Sequence, residues 1–247
     1  MNTTLLGRVG CLGAVLLACP APRALGQCLE WQDVTGSGTR PPQASEHAVV
    51  YDSCRGVIVH FGGFVGTTGT DHNETWEWTC ATQTWIKRTL PTSPATRHSH
   101  GMAFDSLRCK TVLFSGLNGI NDTWEYDGTT WTQRFPTMSP SARIAHGMTY
   151  DWARRVVVLF GGHASGSDLG DTWEWDGSDW VFRTNSGPSV REYPAMAYDR
   201  DCGRTLLFGG SDAGTILNDT WMWDGTTWTL LGSGGPSPPL PLCRTTT

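Results

Sequence analysis

The sequence predicts an all-β protein built from repeats, and three observations support this prediction. The phrase NDTWEYDGTTWTQ, which begins at Asn121, returns in three variants, and the first tryptophans of the four copies are 48, 49 and 48 residues apart. A fixed period of this size is the signature of a repeat architecture. A second phrase of seventeen residues, such as HGMTYDWARRVVVLFGG from His146, recurs in step with the first. From residue 27 onward, the chain has no segment with sustained helical periodicity.

Each repeat is predicted to form four short strands. The seventeen-residue phrase places a polar turn between two apolar runs, and the run VVVLF at 156–160 is typical of a strand that is covered on both faces. The aromatic phrase supplies the runs TWEY and TWTQ, which are favoured on a pleated surface. Between them, Asp127-Gly128 can adopt the positive φ of a hairpin turn. Four-stranded units of about 48 residues fit the blades of a β-propeller, which stand radially around a channel.

The repeated glycines and tryptophans resemble those of the Kelch repeat. The second strand is followed by a glycine doublet, which copy two replaces with Ser115-Gly116, and each aromatic hairpin carries a second tryptophan. These residues are Gly62-Gly63, Gly161-Gly162, Gly209-Gly210, Trp85, Trp131, Trp180 and Trp228. The likeness covers residues 41–233 and divides them into blades at about 41–90, 91–136, 137–184 and 185–233. The resemblance implies a propeller that commonly serves as a binding platform, although its relatives include galactose oxidase and periplasmic sialic acid epimerases.

The first residues are predicted to direct export. Residues 1–26 hold one early cation, Arg8, then an apolar run and small residues with prolines, which is the pattern of a secretory signal peptide. The run LLAC, which ends at Cys19, also resembles a bacterial lipobox, so a lipid anchor at Cys19 is the alternative to cleavage after Gly26. Both alternatives place the domain outside the cytoplasm, either secreted or in the periplasm or at the cell surface.

The segments that flank the repeats leave the number of blades open. Residues 27–40 hold CLEWQDV, which resembles the fourth strand of a blade standing alone, followed by a linker. Residues 234–247 form a proline-rich tail. A small closed propeller, a truncated copy and a homodimer that completes one ring are all compatible with this arrangement.

Composition argues against a nucleic-acid partner and against a membrane-spanning helix. The net charge is −5, only 17% of residues are charged, and there is no run of Lys or Arg, which argues against a nucleic-acid partner. Beyond the leader, no apolar stretch approaches the roughly 20 residues that a membrane-spanning helix needs.

The cysteines of an exported chain are expected to form disulfides. Cys54, Cys109 and Cys202 lie in the turn between the first two strands of a repeat, and Cys80 lies in the turn between the last two. Cys28 takes the same position as Cys80 relative to the lone strand. Both turns are expected on one face of the propeller, where each disulfide would join one blade to the next. The predicted pairs are Cys28–Cys54, Cys80–Cys109 and, by elimination, Cys202–Cys243.

Polar residues that recur in every copy are interpreted first as scaffold. The repeated tryptophans are predicted to pack between blades. Arg97, Arg143 and Arg191 precede the first strand at one offset, where they could hold an anion or pair with the aspartate of each DTW phrase; pairing is favoured. The histidines that begin the first strands, His47, His100 and His146, could bind a metal, but a repeated hydrogen bond is favoured. No catalytic, cofactor or metal residue is predicted.

The loops after the glycine doublets differ most between copies, and such loops are where a constant frame places its specificity. The candidates for a ligand-binding face are the titratable residues of these loops together with the three arginines: Asp71, His72, Arg97, Arg143, His163, Asp168, Arg191 and Asp212. We therefore predict an exported, non-catalytic binding or scaffolding module for a glycan or a protein. The alternatives are an enzyme of the sialic acid epimerase or galactose oxidase kind, and a truncated paralogue without independent activity.

Overall fold

In the computed structural model, which describes residues 38–117 and 119–233, these residues form four antiparallel sheets of four strands each and one two-stranded hairpin. No helix occurs among these residues, and the four sheets are the blades of a propeller around a central channel, so the predicted fold class is confirmed. The predicted signal peptide, the alternative lipid anchor at Cys19, the predicted lone strand before residue 38 and the proline-rich segment 234–247 fall outside the described residues and stay predictions.

The strands follow one another through the blades from the channel outwards. Blade 1 consists of β1 (Ala48–Asp52), β2 (Val57–Phe61), β5 (Thr75–Thr79) and β6 (Thr84–Arg88), with a small hairpin of β3 (Phe64–Val65) and β4 (Thr70–Asp71). Blade 2 consists of β7 (Gly101–Asp105), β8 (Lys110–Phe114), β9 (Thr123–Tyr126) and β10 (Trp131–Arg134). Blade 3 consists of β11 (Gly147–Asp151), β12 (Val156–Ala164), β13 (Ser167–Trp175) and β14 (Trp180–Thr184). Blade 4 consists of β15 (Ala195–Asp199), β16 (Arg204–Asp212), β17 (Thr215–Trp223) and β18 (Trp228–Ser233).

Aspartate side chains close the tight turns. Oδ1 of Asp127 accepts hydrogen bonds from the backbone N–H groups of Thr129 and Thr130, each at 2.9 Å. Gly128 adopts a φ of +94°, and a Cβ at this position would lie 2.6 Å from the guanidinium of Arg55 in the preceding blade. The Asp-Gly pair therefore serves both the hairpin and the close approach of two blades.

Adjacent blades are joined by a contact that recurs three times among the described residues, which we call the seam. At seam 1/2, the ring of Trp131 lies 5.2 Å from that of Phe61, edge to face, and its indole N–H donates to the Thr75 hydroxyl at 2.9 Å. The Tyr126 hydroxyl donates to the carboxylate of Glu77 at 2.9 Å. A tryptophan replaces this tyrosine at the later seams, where the indole of Trp175 donates to Glu125 and that of Trp223 to Glu174. The seams therefore confirm the predicted packing of aromatic hairpins between blades.

An arginine of the first turn completes each seam. Arg55 bonds to Asp52 in its own turn and to the Glu77 carboxylate at 2.5 Å, and it lies beneath Gly128 of the next blade. The same arrangement recurs with Arg108 and Glu125 and with Arg154 and Glu174. Each buried carboxylate is thus neutralised by an arginine of its own blade and hydrogen-bonded by an aromatic side chain of the next.

The fourth copy departs from this arrangement. Phe208 is 53% exposed, whereas its equivalents Phe61, Phe114 and Phe160 are fully buried. Cys202 and Met222 stand where the other blades have the arginine and the glutamate of the seam. Both members of the ion pair are replaced together, so neither residue is left without its partner.

The cysteine pairing differs from the prediction. Cys54 is bonded to Cys109, with 5.9 Å between their Cα atoms, so the pairs Cys28–Cys54 and Cys80–Cys109 are wrong. The prediction matched an outer turn to an inner turn. In the structure β1 and β7 are neighbours at the channel, which brings together two turns of the same kind. Cys80 and Cys202 are disulfide-bonded as well. Cys28 and Cys243 lie outside the described residues, so Cys202–Cys243 stays a prediction.

Replacing the seam phenylalanine should have a large effect in blade 3 and a small one in blade 4. Phe160→Ala removes a fully buried ring that packs on Trp228, and we expect a loss of about 3–5 kcal/mol in the free energy of unfolding. Phe208→Ala is the matched control at the same repeat position, with an expected loss of under about 1.5 kcal/mol. Urea unfolding measures both variants, and equal losses would contradict the seam.

Removing the described disulfide should destabilise the chain without altering its fold. The double variant Cys54→Ser, Cys109→Ser opens a link between residues 55 apart, and we expect a loss of up to about 4 kcal/mol on the loop-entropy estimate. Urea unfolding gives the loss, and peptide mapping of the unreduced protein tests the pairing. A peptide that links Cys54 to a cysteine other than Cys109 would contradict it.

Candidate functional site

The loop face is the end of the propeller that carries the hairpins after the glycine doublets and the links between blades. At its centre, the channel mouth opens into a depression of about 270 Å³ where the first strands begin. Glu46, Ser99, Ala145 and Tyr193 lie at its edge, one from each repeat, and they are equivalent in sequence.

These four residues share one strained backbone conformation. Their φ angles lie between 53° and 56°, in the left-handed region that non-glycine residues seldom adopt. The conformation lets each link bond to the link before it: Ser99 N donates to Glu46 O, Ala145 N to Ser99 O and Tyr193 N to Ala145 O, at 2.7–3.0 Å. The backbone is therefore repeated around the mouth, while the side chains are an acid, a hydroxyl, a methyl and a phenol. We call these four residues the mouth positions.

The histidines beside the mouth positions act in packing. The buried rings of His100 and His146 lie edge to face on Phe61 and Phe114 of the preceding blades. No hydrogen-bond partner reaches either ring within the described ranges, so the favoured repeated hydrogen bond is wrong for these two. Only His47, which is exposed, bonds as expected, through Nδ1 to Ala44 O at 3.0 Å. Burial, together with the charge of Arg143, lowers the pKa of His146 to about 3.

The three arginines predicted for the ligand face point into the blades. The Arg143 side chain is buried and donates two hydrogen bonds to the Asp171 carboxylate, of 2.6 and 2.9 Å. Arg97 pairs with Asp122 and Arg191 with Asp219 in the same way. Each aspartate also accepts the indole N–H of the tryptophan two residues on. This is the pairing that the sequence favoured, and it holds all three guanidinium groups in buried ion pairs.

Two clusters of histidine and carboxylate lie on the loop face beside the mouth. The seam 1/2 cluster consists of Glu46, Asp71 and His98: Nδ1 of His98 lies 2.6 Å from Asp71, and its Nε2 lies 3.8 Å from Glu46. The predicted candidate Asp71 is therefore paired with His98 of the next blade and not with its chain neighbour His72. The Ser99 hydroxyl bonds to Glu46, which ties this cluster to the mouth.

The seam 3/4 cluster consists of His163, Asp168 and Glu192. Nδ1 of His163 lies 2.7 Å from Asp168, whose other oxygen accepts the backbone N–H of Ala213 at 2.9 Å. The predicted candidates His163 and Asp168 thus meet, and Glu192 joins them from the link to blade 4. Asp212 ends β16 at the tip of the neighbouring hairpin, opposite Thr215.

Sequence reasoning missed Glu46, His98, Glu192 and Tyr193. All four come from the two residues that follow the link arginine, or Ala44 in the first repeat, where the copies read SE, HS, IA and EY. The signal was present, because this dipeptide changes in every copy while its neighbours repeat. The variation of this dipeptide was overlooked because the loops after the glycine doublets vary even more between copies.

Comparison with protein families decides the relationship that the residues suggest. Residues 26–180 match the model of the KLHDC2/KLHL20/DRC7 Kelch-repeats domain, which is more than half of the chain. The chain belongs to the Kelch-repeat family. No curated protein matches this Kelch chain. Within residues 38–117 and 119–233, it contains no helix long and apolar enough to cross a membrane.

Acid should destabilise this Kelch protein through its buried histidines. The pKa of His60 is about 4 and that of His146 about 3, against 6.5 for an exposed histidine. The unfolded chain therefore binds protons that the folded chain does not, and stability falls as pH drops from about 6.5 towards 4.

The variant His146→Phe should flatten this dependence, because it removes one of the depressed groups while keeping an aromatic ring against Phe114. The unaltered chain is the reference, and His47 is kept in both proteins because its charge contributes to the lowered pKa of His60. Urea unfolding at pH 7 and pH 5 measures the effect, and a slope unchanged by His146→Phe would refute it.

Proposed function

We propose that this Kelch protein is an exported, non-catalytic binding or scaffolding module that holds a protein partner on its loop face. The observation that carries the proposal is the set of mouth positions, where one repeated backbone holds four different side chains, of which Glu46 and Tyr193 are exposed. A frame that is constant while its exposed side chains vary is the usual basis of specificity in repeat proteins.

The polar side chains that recur from repeat to repeat support this assignment, because they are already paired with each other and are not available to a ligand. The link arginines, the DTW aspartates and the seam glutamates are paired inside the blades or between them. A partner could recruit them only by breaking buried ion pairs, at a cost of about 3–5 kcal/mol each. Recognition therefore falls to residues that the repeat does not fix.

The exposed side chains near the mouth favour a protein partner over a glycan. Tyr193 is 55% exposed and Ile216, at the tip of the blade 4 hairpin, is 80% exposed. Val190 in the same link is also exposed. Aromatic and aliphatic side chains beside an acid such as Glu46 are typical of the anchors of protein interfaces. A glycan remains the alternative ligand for the same face.

An acid–base enzyme is the second candidate function, and the pairing of Asp71 with His98 is the observation that favours it. An aspartate that holds Nδ1 of a histidine at 2.6 Å orients the imidazole as general acids and bases require. The other ring nitrogen faces Glu46, at the edge of the mouth.

Capture experiments with matched variants test the binding function. The purified chain is immobilised and exposed to secreted and periplasmic proteins, and in parallel to a glycan array. Tyr193→Ala should weaken the captured interaction at least about tenfold, the loss expected for an aromatic anchor. Leu107→Ala removes an equally exposed side chain, at 57%, from the turn between β7 and β8 and should have no effect.

Loss of binding with Leu107→Ala but not with Tyr193→Ala would move the interaction to the opposite face and contradict the proposal. Binding to the glycan array that depends on Tyr193 would replace the protein partner with a glycan. Conversion of a captured ligand that stops with His98→Gln would establish the enzyme instead.

A further inference from the structure

The seam 3/4 cluster brings three metal-ligating side chains to one point. His163 and Asp168 face each other as Cα partners across the β12–β13 hairpin, and Glu192 comes from the link that leads into blade 4. Each of the three offers a ligand atom that lies within 4.8 Å of the other two. No other group of three such side chains meets this distance within the described part of the chain.

The repeat does not account for these residues. The position of His163 is occupied by Phe64, Leu117 and Ser211 in the other blades, and the position of Glu192 by Ser45, His98 and Ile144. A scaffold role would be expected to recur, as those of the arginines and tryptophans do. Departures from the repeat on two separate segments therefore converge on one site.

The backbone on both sides of the site is fixed. His163 exchanges two hydrogen bonds with Ile144, of 2.8 and 3.0 Å, and Glu192 exchanges two with Ser211, each of 2.9 Å. Asp168 is held by the N–H of Ala213 at 2.9 Å, which leaves its other oxygen towards His163. Such hydrogen bonds orient the metal-ligating side chains in advance of metal binding.

The site also carries more negative charge than its surroundings neutralise. Asp168 bonds to Nδ1 of His163 and to the backbone N–H of Ala213. The Glu192 carboxylate is half-buried, and no hydrogen bond or ion pair reaches it from the described residues. The Glu192 carboxylate is therefore free to ligate a cation without breaking an ion pair.

We propose that the seam 3/4 cluster binds a divalent cation of the zinc class. An imidazole with two carboxylates suits zinc or manganese better than the all-oxygen sites of magnesium and calcium. Three protein ligands leave a coordination position for water or for a group of a binding partner. The ion would displace the hydrogen bond of 2.7 Å between Nδ1 of His163 and Asp168, so that all three side chains ligate it.

The seam 1/2 cluster provides an internal control. It has the same composition, but the Ser99 hydroxyl and His98 both lie against Glu46, and its three residues do not form a compact ligand group. A chain that bound zinc through any histidine with two carboxylates would use both clusters. The proposal requires the seam 3/4 cluster alone.

Zinc binding by the full chain tests the proposal. The protein is freed of metal with a chelator, titrated with zinc chloride by calorimetry, and assayed for bound metal after gel filtration. We expect one zinc ion per chain, with the affinity lowered at least about tenfold by Glu192→Gln and by His163→Gln, since even supporting residues cause losses of this size. His98→Gln should keep the affinity of the unaltered chain. Thermal unfolding without zinc shows that each variant is folded.

Three results would overturn the proposal. The first is a folded chain that retains no zinc. The second is a zinc affinity that Glu192→Gln and His163→Gln leave unchanged, which would place the ion elsewhere on the surface. The third is a zinc affinity that His98→Gln abolishes while Glu192→Gln does not, which would assign the ion to the seam 1/2 cluster.

Discussion

The structure depends on a hydrogen bond that crosses each seam, from the indole of one blade to the threonine of the blade before it. In an isolated blade the tryptophan ring would be exposed to water. At the seam it is buried, so its indole N–H needs an acceptor from the neighbouring blade. Thr75, Thr123 and Thr172 provide that acceptor at 2.9 Å for Trp131, Trp180 and Trp228. Because the bond has a fixed direction, apolar packing at the seam occurs in only one register.

This constraint separates scaffold from function. Arginine, aspartate, glutamate and tryptophan recur in the sequence because each satisfies a partner inside a blade or across a seam. They are therefore unavailable to a ligand, however suggestive their chemistry is. The proposed partner would instead meet residues that the repeat does not fix, chiefly the exposed mouth residues Glu46 and Tyr193 and the two seam clusters. Blade 4 is consistent with this, because it lacks the arginine and the glutamate of a seam together and so keeps neither without the other.

Local patterns made the fold predictable. Alternation, Asp-Gly turns and the 48-residue period located the strands and assigned the tryptophans to the seams, because these features act within one repeat or between neighbours. The pairing of Arg143 with Asp171 was foreseeable for the same reason. The disulfide was not, because turns of Cys54 and Cys109 meet through the neighbouring strands at the channel, a geometry that spacing does not record. The seam 3/4 cluster was not predictable either, because it joins residues of different blades and Glu192 belongs to no recognisable sequence motif.

Exchange of the indole N–H protons with solvent deuterium, followed by nuclear magnetic resonance, tests the seam most directly. Trp131, Trp180 and Trp228 should exchange slowly, at rates set by opening of the blades. Trp85, at the same repeat position in blade 1, is half-buried, has no hydrogen-bond acceptor among the described residues and should exchange fast. Four indoles that exchange equally fast would show that the blades are not held by these bonds.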